Sequence, residues 1–103
     1  MDLKQLEAEF ADRVQQACDQ ARELGLAPVR LEQMLRAQHA ATLAKKLMLS
    51  GDIHSSMKDL VRAGHRELTL EGVMLQPDFA PIFSAAQLQA AAWRLSMAAP
   101  PQD

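Results

Sequence analysis

A chain of 103 residues, 49% hydrophobic and 23% charged, has the composition of one globular domain. At this length it can bury roughly two-thirds of the surface its unfolded form exposes, and needs no metal or disulfide to fold. Its formal net charge of −2 at pH 7 argues against a generally basic protein, and its single cysteine, Cys18, excludes an internal disulfide and points to a reducing compartment.

The first residues, Met1-Asp2-Leu3-Lys4-Gln5-Leu6-Glu7, contain no basic leader followed by an apolar block. Apolar runs such as Leu47 to Leu49 and Ala90 to Trp93 fall far short of the ~20 residues a bilayer span needs. The expected location is therefore the cytoplasm, with no membrane association.

The strongest helix signal comes first. Leu3, Leu6, Phe10, Val14, Ala17, Ala21 and Leu24 recur at intervals of three and four, and Gly25 supplies a stop. The stripe slips at a period near 3.6, which suits packing on a globular core better than a long coiled coil. Pro28 opens a second segment with Leu31, Met34 and Leu35 apolar, and a third carries Ala40, Leu43, Ala44, Leu47 and Met48. As one continuous helix these would put Lys45 and Lys46 on the apolar face, so the phase change near His39 predicts a break between helices at Val29 to Gln38 and Ala40 to Leu49.

Ser50-Gly51-Asp52 is turn chemistry, and Ser56 with Asp59 resembles a capping box for a helix burying Met57, Leu60 and Val61 and ending at Gly64. Thr69 is placed to cap a short helix holding Leu70, Val73 and Met74, with Glu71 near its positive end. Leu68 and Leu70 also alternate as a strand would, without a convincing partner strand. Pro77 and Pro81 bracket a tight connector whose Phe79 and Phe83 are expected to plug the core. Ser84 and Gln87 form a second capping box, opening a last helix over about Ala85 to Ala98; Pro100 and Pro101 begin a frayed tail.

These elements predict an all-α fold, an irregular compact bundle of about six helices with the first and last longest. It would be a single helical domain over residues 1–99, with a tail over 100–103. From about Leu24 to Leu95 the chain resembles an uncharacterised family of small bacterial helical domains. The matching residues are Pro28, Leu31, Met34-Leu35, Ala44-Lys45, Leu47, Leu68-Thr69-Leu70-Glu71, Val73, Leu75, Pro77, Phe79, Phe83-Ser84, Leu88, Ala91 and Arg94-Leu95. The chain departs from that pattern at Leu31, where an aromatic is usual, and at Ala40-Ala41, where glycines are. The resemblance implies a compact helical unit and carries no established activity.

No catalytic residue, metal or cofactor is expected. His39, His54 and His65 lie in three elements at spacings unlike any zinc pattern, and Cys18, beside the apolar stripe of the first helix, has no local base. Glu9, Asp12, Asp19 and Glu23 read as a solvated face, and Gly25, Gly51, Gly64 and Gly72 stand singly at turns or helix ends, not in a phosphate-binding loop. No small-molecule substrate is expected.

Two surfaces remain. Charge is uneven: Met1 to Val29 holds three basic and six acidic residues, Arg30 to Arg66 seven and three, and Glu67 to Asp103 one and four. Within the central block Arg36, Lys45, Lys46, Lys58, Arg62 and Arg66 are candidate nucleic-acid contacts, although an ordinary solvated face is the preferred reading. Two short helices joined near His39 also imitate a helix-turn-helix. The stronger signal is the last helix, which has two apolar faces. Leu88, Ala92 and Leu95 lie on one, and Ala86, Ala90, Trp93 and Met97 on the other, with Gln87 and Arg94 separating them on one side. So small a body has little to cover both. The expectation is a non-enzymatic interaction or adaptor module that homodimerises or docks on a larger protein through Ala86, Ala90, Trp93 and Met97; accessory nucleic-acid binding through Lys45, Lys46, Lys58, Arg62 and Arg66 is the alternative.

Overall fold

Asp2 caps the first helix: its carboxylate accepts the Gln5 backbone N–H at 2.8 Å, satisfying one donor that the helix start leaves free. The computed structural model describes residues 2–99. Helix α1 (Leu3–Glu23) buries Phe10, Val14, Ala17, Cys18 and Ala21. The expected stripe is longer than the contact, because Leu3 and Leu24 at its ends are exposed. Gly25 then turns the chain with φ of 76°, a left-handed conformation that side chains disfavour.

The break near His39 is present. Helices α2 (Val29–Ala37) and α3 (Ala40–Leu47) are separated by Gln38 and His39, both extended, and His39 Nδ1 accepts the Ala41 N–H to cap α3. α3 buries Ala40, Ala41, Leu43 and Ala44, whereas α2 buries no residue fully. Met34, expected in the core, is half-buried for that reason.

Helix α4 (Ser55–Arg62) corrects another expectation: the box at Ser56 and Asp59 does not form, because the helix starts earlier, with His54 at its N-cap and no side-chain cap. A 3-10 turn (Arg66–Leu68) leads into α5 (Leu70–Met74), so the Leu68 and Leu70 alternation is not a strand; no strand occurs among the described residues. Thr69 produces this corner. Its Oγ1 donates to Arg66 O at 2.6 Å and accepts from Gly72 N at 2.9 Å. Gly72 is neither at a turn nor at a helix end but inside α5, where a Cβ would stand 2.1 Å from the Arg66 carbonyl oxygen.

A second 3-10 segment (Pro77–Ile82) delivers Phe79, with Phe83 just after it, to Phe10. The rings meet edge-on at 5.4 and 5.2 Å between centroids. α6 (Ala85–Ala98) opens with the expected box: Ser84 Oγ accepts from Gln87 N, and Gln87 Oε1 from Ser84 N. α1 packs on α3, α5 and both 3-10 segments, while α6 lies across α5 and α4. The main core surrounds Phe10, and a smaller one of Met57, Leu95 and Ala98 sits between α4 and α6. The fold is thus an all-α compact bundle with α1 and α6 longest. Among the described residues no helix is long and apolar enough to cross a membrane. The tail at Pro100 and Pro101 lies outside the described residues.

Candidate interaction surface

α6 presents two unlike sides. Toward the body it turns Ala91, Arg94, Leu95 and Ala98, all buried, with Leu88 half-buried beside them. Away from the body Trp93 is 49% and Met97 54% exposed, Ala86 is exposed, and Ala90 is half-buried against the core. Of the four residues expected on the outer face, Ala86, Trp93 and Met97 are exposed and Ala90 is not, and two residues of the inner face are misassigned. Ala92 is exposed, and Arg94, expected at the boundary, is among the most buried side chains of the molecule.

Arg94 goes inward because a carboxylate is waiting there. Its Nε donates to Glu71 Oε2 at 2.7 Å and its Nη1 to the Ser50 carbonyl oxygen at 2.7 Å. Glu71 is equally buried, so this pair ties α6 to α5 and to the turn after α3. Glu71 does follow the Thr69 cap in the first turn of α5, as expected, but its main partner is a cation that sequence reasoning did not assign to it.

With Arg94 inside, α6 has no charged residue on its surface: Arg94 is the only Asp, Glu, Lys or Arg between Ala85 and Ala98. The expected stripe of Ala86, Trp93 and Met97, exposed, with the half-buried Ala90 runs at steps of four, three and four. That is the spacing of a helix-pairing seam, flanked by neutral Gln89 and Ser96. Its alanines at one end are small, and its indole and thioether at the other are large and apolar.

The five candidate nucleic-acid contacts are divided among three elements. Lys45 and Lys46 are on α3, Lys58 and Arg62 on α4, and Arg66 on the first 3-10 turn. α3 packs mainly on α1, α2 and α5, and α4 on α6 and that 3-10 turn, so Lys58, Arg62 and Arg66 belong to neighbouring elements. Among the described residues none of the five is in an ion pair. Half of α3 is buried, which leaves little of it to enter a groove as a recognition helix.

The other reactive side chains have local roles. His39 caps α3, His65 approaches Glu67 at 3.4 Å, and His54 starts α4. Burial, reinforced by Arg30 and Arg94, holds His54 below its usual titration range. Cys18 is buried in the core, and desolvation pushes its thiol up to about 11, so the nucleophilic thiolate is scarce at neutral pH. Glu9, Asp12, Asp19 and Glu23 are exposed along α1. No family model, no curated protein and no solved structure matches this chain.

Proposed function

We propose that this protein is a non-enzymatic interaction module that pairs with a second copy of itself through the outer face of α6. The observation that supports this most is the combination of an exposed Trp93 and Met97 with a helix surface empty of charge. A charged partner gains nothing from such a surface, whereas an identical copy meets it without like-charge repulsion. Tryptophan at the centre of a seam is also the residue type that most often dominates interface energy.

The test is molar mass by light scattering across protein concentration. Wild type is expected to move toward twice the monomer mass as concentration rises. Met97→Glu, which sets two carboxylates into the seam, is expected to stay monomeric at every concentration. A wild type that remains monomeric overturns the proposal.

A second reading, accessory nucleic-acid binding, draws support from Lys58, Arg62 and Arg66 on adjoining elements, which among the described residues are in no ion pair. It requires binding to duplex DNA that weakens steeply with salt. The interspersed Asp59 and Glu67 place it second.

A further inference from the structure

Among the described α-helices, α2 alone buries no residue fully. It packs mainly on α3, and Arg22 of α1 reaches across to its Glu32. One residue of the body faces both crevices that separate α2 from the bundle. His54, at the N-cap of α4, lines the inner crevice with Pro28, Leu31 and Leu60, and the outer one with Val29, Arg30 and Asp59. Its side chain makes no cap hydrogen bond to the helix it starts.

The surroundings of this half-buried ring suit the neutral imidazole. Arg30 of α2 and Arg94 of α6 both repel an imidazolium, and the positive end of α4 adds to them. Glu71 of α5 and Asp52 of the preceding turn attract one, but Glu71 is already engaged by Arg94 at 2.7 Å. Burial is the largest influence, since α2 keeps from the ring the water that would solvate a second proton. Lifting α2 carries Arg30 away and opens both crevices, so the ring regains its ordinary affinity for a proton.

We propose that α2 is an acid-released flap, held against the body while His54 is neutral and let go when His54 takes a proton. The direction follows from linkage. Closed α2 holds His54 below the ordinary histidine value of 6.5, so near and below that pH the open form binds more protons than the closed one. Closure is therefore at full strength above the ordinary value and weakens as the pH falls through it. Release uncovers Leu31 and Leu35, which pack on the main core, so the flap converts acidity into fresh apolar surface.

The experiment is amide hydrogen exchange of the full chain from about pH 8 to about pH 5, each rate divided by its intrinsic rate to give an opening constant. For α2 that constant is expected to rise about threefold or more on acidification, within the limit of about tenfold per pH unit that one proton sets. His54→Gln, similar in size and unable to titrate, is expected to flatten the profile. Arg30→Gln removes the repelling charge on α2. It is expected to raise the pH at which the His54 ring titrates, read from ring ¹H–¹³C correlation spectra, and to move the α2 profile with it. A flat profile in wild type overturns the proposal. So does a rise that persists in His54→Gln, which would place the trigger on His39 or Glu32. Should His54→Gln fail to fold, wild type and Arg30→Gln still decide: an α2 profile that does not follow the titration of the His54 ring overturns the proposal.

Discussion

Arg94 and Trp93 are adjacent in sequence and opposite in environment, the guanidinium 2% exposed and the indole 49%. The inner side of α6 holds the helix's one charge and is fully committed to the bundle, through Glu71, Ser50 and the small core of Met57, Leu95 and Ala98. The outer side carries the only tryptophan and a methionine, with none of the charges a solvated helix face normally shows. The charge distribution on this one helix is inside out. One side holds the fold together, and the other, free of charge, is the side proposed for contact.

The largest predicted effect is on the inner side. Arg94→Met strands the Glu71 carboxylate in the interior and is expected to cost about 3–5 kcal/mol of unfolding free energy in a urea titration, with most of it recovered by adding Glu71→Leu. The recovery distinguishes an uncompensated charge from simple loss of packing.

Gly72→Ala acts on the seat of Glu71. The new Cβ meets the Arg66 carbonyl 2.1 Å away, so α5 must shift from the preceding 3-10 turn. The expected loss is about 1–3 kcal/mol by thermal or urea unfolding, with a displaced Arg94 Nε–H signal. Ser84→Ala removes half of the capping box that starts α6 and affects both sides alike. It is expected to cost about 1 kcal/mol and to leave the distinction between the sides intact.

The smallest stability effect belongs to the outer side. Trp93→Ala should change the unfolding free energy of dilute monomer by less than about 0.5 kcal/mol, since half of the indole is already in water. A loss comparable to that of Arg94→Met would show that the indole supports the fold and would erase the contrast.

Where structure follows from local chemistry, the residues announce it. Asp2 is not needed to see α1, because Phe10, Val14, Ala17 and Ala21 repeat on one face; the His39 break follows from the phase of Lys45 and Lys46; Thr69, Ser84 and Gln87 cap as their spacing requires. What stays hidden depends on partners far along the chain. Arg94 reads as a surface residue until Glu71, 23 positions earlier, is brought beneath it. In a run of alanines nothing distinguishes Ala91, which is buried, from Ala92, which is not. Ser56 and Asp59 carry the letters of a capping box one residue inside a helix that had already begun. The exposure of Trp93 and Met97 was legible because it needed only periodicity, whereas the Glu71–Arg94 pair was not, since α5, α6 and the turn after α3 must come together to make it.

The contact proposed for α6 is most directly measured at its own chromophore. Trp93 is the sole tryptophan, so its emission reports the seam without background from elsewhere. On concentration the account predicts a blue shift and loss of acrylamide quenching that track the rise in molar mass, both absent in Met97→Glu. Emission that stays red and quenchable at every concentration, with a constant monomer mass, would contradict it.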